Sequence, residues 1–258
     1  MTGLKGHTIY SAANGRRVEH WLWRPQGTEP VDLVLLLHGV HDASGFVWWE
    51  QGGAATTADA LVRSGEIPRA AVLMLGDTGI EQGSGWCDWA DGSAMVETHI
   101  LREVLPWAGE QMPLTGRVVL TGLSMGGYGA LLLALRNPDL AAAASAMSGF
   151  FTPRHLFRYV PDAASRIWGT LEREQEHDVA QLLLGGRAPA TRIAFDCGID
   201  DPLIDVNRQM HAALVKDGRP HGYVEVAGAH TWDVWRRRLP EHLRFLLGGT
   251  PLAGDRTP

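Results

Sequence analysis

Cysteine is almost absent: Cys87 and Cys197 are the only two in 258 residues. Thiols so far apart make no disulfide framework, and neither has the C-x-x-C spacing of a redox or zinc motif, so both are expected to be reduced and structural. No stretch of about 18 apolar residues occurs, so no spanning helix and no membrane partner are expected. The first residues, Met1 to His7, lead into no apolar export segment, and a cytoplasmic location is expected. A broad basic tract is also missing: 23 Lys and Arg against 29 Asp and Glu leave a net charge of −6. Binding a phosphate backbone requires clustered cations that displace counterions, so nucleic acid is not an expected partner. The run Arg236-Arg237-Arg238 is the one local exception. Within an amphipathic C-terminal stretch it is expected to be a solvated face.

What is present is a core-forming composition, 45% apolar and 20% charged. That is close to soluble globular averages and excludes wholesale disorder. Two strand-like runs, 7–12 and 16–23, flank Ala13-Asn14-Gly15, a hairpin signal because Asn and Gly tolerate positive φ. Apolar runs follow at 31–37, 70–75, 117–121, 141–147, 192–196 and 223–226. Continuous runs of that length suit strands covered on both faces. Between them, 56–64, 94–111, 128–136, 205–217 and 232–247 carry apolar residues at helical spacing. Alternation of this kind predicts one α/β domain with a mostly parallel, doubly wound sheet. Residues 150–186 are too long for an ordinary connection and read as a small cap insertion, and 248–258 as a disordered tail.

The most informative segment is Gly122-Leu123-Ser124-Met125-Gly126, a G-x-S-x-G between a buried strand and a helix. In that context the serine occupies a tight strand-to-helix turn that only flanking glycines permit, with its hydroxyl at the sheet's edge. A hydroxyl is a weak nucleophile at neutral pH and needs a base within reach, itself oriented by a third group. His230 is the only one of 11 histidines on a loop between the last strand and the final helix. Two acids follow the preceding strand, Asp200 and Asp201. Asp201 is preferred because the turn after Gly198 aims it inward, while Asp200 is expected to face solvent. Amides of Met125, at the helix start, and Val40, after Leu37-His38-Gly39, are the candidate oxyanion donors. A competing reading takes His38, His41 and Asp42 as metal ligands, but no recognised ligand spacing accompanies them. Trp48, Trp86 and Trp232 fall near the same edge and are candidate substrate contacts, although large aromatics equally plug cores.

Taken together, Leu36-Leu37-His38-Gly39, Ser124-Met125-Gly126-Gly127-Tyr128-Gly129-Ala130, Asn137-Pro138, Met147-Ser148-Gly149, Cys197-Gly198 with Asp201, and Gly228-Ala229-His230-Thr231-Trp232 resemble the esterase D group of α/β-hydrolases. That group includes S-formylglutathione hydrolases, small carboxylesterases, feruloyl esterases and mycolyltransferase relatives. The resemblance covers nearly the whole chain and implies the α/β-hydrolase fold. It also implies Ser124 as nucleophile, Asp201 as acid, His230 as base, and Val40 and Met125 as oxyanion donors. A small-molecule ester or thioester with a small or aromatic acyl group is the implied partner, with no metal and no organic cofactor. Two alternatives keep the fold: an acyltransferase in which a bound acceptor replaces water, and a binding protein without catalysis. A homo-oligomer stays open.

Overall fold

The computed structural model describes residues 3–40, 42, 44–77, 83–159 and 161–254. Its strands are β1 (Leu4–Ser11), β2 (Arg16–Trp23), β3 (Val31–Leu37), β4 (Ala70–Met74), β5 (Leu114–Leu123), β6 (Ala143–Met147), β7 (Arg192–Gly198) and β8 (Gly222–Val226). They form one sheet in the order β1-β2-β4-β3-β5-β6-β7-β8. β1 pairs antiparallel with β2, and β2 with β4, while every later pairing is parallel. This is the predicted mostly parallel sheet with an N-terminal hairpin, the α/β-hydrolase architecture. The hairpin turn uses positive φ at Gly15 alone, at 62°. Asn14 instead spends its side chain on tertiary bonds, donating to Met95 O at 3.0 Å and accepting from Met95 N at 2.7 Å.

The connecting helices are α1 (Phe46–Glu50), α2 (Ala54–Ser64), α3 (Val96–His99), α4 (Leu105–Gln111) and α5 (Met125–Arg136). A π-helical stretch, Ile100–Val104, joins α3 to α4, so the helical run expected at 94–111 is continuous but not uniformly α. Between β6 and β7 lie α6 (Pro153–Tyr159), α7 (Pro161–Trp168), α8 (Leu171–Glu176) and α9 (Val179–Leu184). Then follow α10 (Ile204–Asp217) and α11 (Trp232–Leu243).

Strand β3 shows how the sheet divides the core. Leu33, Leu35 and Leu37 enter one apolar cluster, with α3, α4, α5, α9 and α10, while Val34 and Leu36 enter another, with α2 and α11. Alternate residues of a strand point to opposite faces, so a continuous apolar run is what two covered faces require. The 150–186 segment contributes Phe150, Leu156, Ile167, Trp168 and Val179 to the first cluster. Both cysteines are free and buried.

Two expectations need correction. Of the Arg236-Arg237-Arg238 run, the first two are exposed but Arg238 is fully buried. Its Nε donates to Asp196 Oδ2 at 2.6 Å, and His242 Nε2 meets the same oxygen at 2.8 Å. The helix turns Arg238 toward the sheet, where a buried carboxylate neutralises it; charge in a sequence does not reveal which side of a helix it takes. The tail is ordered at least to Gly254: Leu252 is buried against the second cluster, and Arg238 donates to Ala253 O. Residues 255–258 lie outside the described residues. No helix among the described residues is long and apolar enough to cross a membrane.

Candidate active site

Ser124 stands between β5 and α5 with φ 52° and ψ −120°, outside the basins L-residues favour. Neighbours enforce the turn. Ser124 N donates to Met147 O at 2.9 Å, and Tyr128 N donates to Ser124 O at 3.1 Å. A Cβ on Gly122 would collide with Gly126 O, and one on Gly126 with Leu37 O. The two motif glycines are therefore required by close backbone approach, as the sequence pattern predicts.

Asp201 and His230 are placed by two turns that interlock at the ends of β7 and β8. Ile199 N donates to Val226 O at 2.8 Å and Asp200 N to Gly228 O at 3.0 Å. With its backbone engaged there, Asp200 carries an exposed side chain, whereas Asp201 is buried. Asp201 Oδ1 accepts from Leu203 N at 2.8 Å, and Oδ2 lies 2.8 Å from His230 Nδ1. An ionised carboxylate only accepts, so the network assigns the proton of a neutral imidazole to Nδ1 and leaves Nε2 with a free lone pair. Among the described residues Ser124 Oγ makes no hydrogen bond. Catalytic hydrogen bonds are often long in the absence of substrate.

Ser124 and His230 line one cavity of about 420 Å³, together with Gly39, Val40, Leu123, Phe150, Trp232 and Trp235. That volume suits a small ligand. Met125 is the first residue of α5, so its N–H has no intrahelical acceptor. A Cβ on Gly83 would lie 2.9 Å from Met125 Sδ and 3.4 Å from Val40 Cγ2, which places Met125 and Val40 beside each other. Gly39 brings the loop that carries Val40 against the serine: a Cβ there would sit 2.8 Å from Leu123 Cδ1 and 3.5 Å from Ser124 Cβ.

Of the three tryptophans expected at the site, only Trp232 lines the cavity. Trp48 is buried behind it, ring perpendicular to ring at 5.3 Å. Trp86 is buried beneath α5, where a Cβ on Gly129 would strike it, and its Nε1 donates to His38 O at 3.2 Å. Both are thus packing groups that back the site rather than touch its contents. His38 is buried with Nδ1 2.9 Å from Gly39 O, and burial pushes its pKa down to about 4, so it is a neutral imidazole bracing the loop. His41 lies outside the described residues. Sequence reasoning missed Phe150 and Trp235. Trp235 had a signal, since it follows Trp232 by one helical turn and shares its face.

The "Putative esterase" family model matches residues 11–246. The chain is 30% identical to the iron(III) enterobactin esterase of Dickeya dadantii (strain 3937) over 252 residues, 94% of this chain and 54% of that protein. It spans about half the length of the curated relatives it matches. In structure it resembles a ferulic acid esterase (TM-score 0.82, 24% identity, covering 95% of this chain and 98% of that one). It also resembles the fluorophosphonate-binding serine hydrolase F of Staphylococcus aureus (TM-score 0.80, 20% identity, 94% and 97% covered). With the family model spanning nearly the whole domain and the elbow, the Asp-His pair and the cavity in one place, the chain belongs to the esterase family on the α/β-hydrolase fold.

Proposed function

We propose that this protein is a serine hydrolase that cleaves a carboxylic ester or thioester of a small or aromatic acyl group through an acyl-enzyme. One observation carries the reading: Ser124, held in a strained elbow, and His230, oriented by buried Asp201, open on one cavity. The family membership supports ester chemistry. Phe150, Trp232 and Trp235 in the lining support an apolar or aromatic acyl group.

In this mechanism His230 Nε2 takes the Ser124 proton as Oγ attacks the carbonyl carbon. The oxyanion is held by the amides of Val40 and Met125; losing one such donor costs about 3–4 kcal/mol of transition-state stabilisation. The imidazolium then protonates the departing alcohol or thiol. Water, deprotonated by the same nitrogen, attacks the acyl-serine; as the C–Oγ bond breaks, the imidazolium returns that proton to Ser124 Oγ and the acid is released. Asp201 holds the imidazole tautomer and supports its positive charge without becoming protonated itself.

The test is labelling with a fluorophosphonate, read by intact mass, beside turnover of p-nitrophenyl, naphthyl, feruloyl and glutathione thioester substrates. A single adduct that disappears in Ser124→Ala, together with ester turnover lost in the same variant, is expected. Labelling that persists in Ser124→Ala overturns the assignment of the nucleophile.

A further inference from the structure

Two serines stand side by side at the carboxyl rim of the sheet in a conformation that L-residues seldom adopt. Ser124 follows β5 at φ 52°, and Ser148 follows β6 at φ 48°. Leu123 and Met147 are paired in register, so the strained residues are next neighbours across the rim. Such strain persists only where the surroundings over-determine it. For Ser148 those surroundings are plain. Its N–H donates to Asp196 O at 2.8 Å, and its Oγ accepts from Trp235 Nε1 at 3.1 Å.

Trp235 in turn meets His230. The two rings are perpendicular, at 89°, with centroids 4.8 Å apart. The indole is held from two directions. Its own N–H is tied to Ser148, and α11 is tied to the sheet three and seven residues further on, where Arg238 and His242 bond Asp196 and His242 also bonds Ser145. His230, by contrast, sits on a loop and has one ring hydrogen bond among the described residues, to Asp201. One hydrogen bond fixes Nδ1 but, with only the Cβ–Cγ tether beside it, leaves the plane of the ring some freedom to tilt. The indole wall removes that freedom.

We propose that Trp235 is a positioning residue that sets the imidazole plane of His230, and that Ser148 sets Trp235. The proposal rests on His230 being the base. The strained φ of Ser148 then has a purpose: it turns a hydroxyl under the indole at a point where glycine would fit the backbone but offer no acceptor.

The experiment compares kcat, KM and the pH dependence of kcat/KM for p-nitrophenyl acetate in Trp235→Leu, Trp235→Phe, Ser148→Ala, Ser148→Gly and the pair Trp235→Phe with Ser148→Ala. Misplacing a catalytic group by about 1 Å costs on the order of 100-fold, so Trp235→Leu, which keeps that part of the cavity lining apolar, is expected to lower kcat by roughly 10- to 100-fold, with KM moving less than about 3-fold. The acidic limb of its kcat/KM profile is expected to move as well, because the ring held against Asp201 changes its setting, which a residue needed only for folding would not cause. Trp235→Phe, Ser148→Ala and Ser148→Gly each break the same link, so their kcat losses are expected to be alike and the pair no worse than either single change. A folded Trp235→Leu with native kcat and an unmoved profile overturns the proposal. If that variant does not fold, independent or absent losses in Trp235→Phe and Ser148→Ala overturn it instead. His230→Ala separates the two levels: retained turnover there removes the base itself, whereas lost turnover beside native Trp235 and Ser148 variants removes only the positioning role.

Discussion

Asp201 Oδ2 and His230 Nδ1 lie 2.8 Å apart although 29 residues separate them in the chain. The pair exists because the turns after β7 and β8 lock together: a Cβ on Gly198 would strike Gly228 O, so the backbones touch at that point. Side chains leaving those turns therefore have fixed directions, one acid inward and one outward.

Asp201→Asn is expected to lower kcat by about 10⁴, because an amide at that place no longer selects the Nδ1–H tautomer or supports the imidazolium. Asp200→Asn, on an exposed side chain, is expected to stay within about 2-fold of native. Steady-state kinetics of the two variants check this, and a crippled Asp200→Asn beside a mild Asp201→Asn reverses the assignment.

Backbone crowding gives a stability contrast between two helical glycines. Gly126→Ala forces a Cβ onto Leu37 O and His38 O and is expected to destabilise by about 3 kcal/mol. Gly109→Ala, in α4 with nothing within 4 Å of its Cβ position, is expected to stabilise by about 0.5–1 kcal/mol. Urea unfolding of both variants measures the difference; equal effects contradict it.

Trp232 and Trp86 are expected to separate in kinetics. Trp232→Ala removes cavity lining and raises KM by about 10-fold, from roughly 1.5 kcal/mol of lost apolar contact. Trp86→Phe removes the bond to His38 O behind the Gly39–Val40 loop and lowers kcat by about 5-fold with KM little changed. The reverse pattern means that Trp86, not Trp232, meets substrate.

Acid stability depends on a buried histidine chain. Gly76 N donates to His20 Nδ1 at 3.2 Å, His20 Nε2 meets His99 Nε2 at 3.1 Å, and His99 Nδ1 meets Glu103 Oε2 at 2.5 Å. Burial, and then the neighbouring His99, lower the His20 pKa from 6.5 to about 3. The unfolded chain therefore takes up this proton first, and the stabilising contribution, full above pH 6.5, is lost as pH falls toward 3. Between about pH 7.5 and 5 this one group removes about 2 kcal/mol. Urea titrations at the two pH values are expected to show that loss, with a flatter dependence in His20→Gln; an unchanged slope in the variant argues against it.

Arg238→Met leaves Asp196 in a buried site without its guanidinium partner, with the hydrogen bond to His242 remaining. Burial raises the Asp196 pKa, but His242 and Arg238 outweigh it, so the carboxyl is held below its ordinary range. Removing one member of such a network is expected to cost about 3–5 kcal/mol and lower Tm by roughly 10 °C. Calorimetry checks this, and a change under about 2 °C shows that the charge is not needed for stability.

The order of elements, the parallel sheet and the tight strand-to-helix turn at Ser124 were legible in the sequence, because each depends on residues close together in the chain. An apolar run such as 31–37 states its own two-sided burial, and the spacing Gly122, Ser124, Gly126 states its own crowding. His230 and the acid pair were legible by position after their strands. Other assignments depended on partners that no local pattern contains. Trp48 and Trp86 read like Trp232 until packing put two of them behind the cavity wall, and Arg238 read like Arg236 until Asp196 met it.

The sequence by itself thus determined which backbone segments become strands and helices and where the chemistry-bearing turns fall, since steric and hydrogen-bonding preferences act over a few residues. Tertiary structure alone decided which other side chains face one another: Trp48 with Trp232, Ser148 with Trp235, Asp196 with Arg238. The physical reason is that the direction of a side chain at the end of a strand or on a helix face is set by what packs against it, and those neighbours come from elsewhere in the chain.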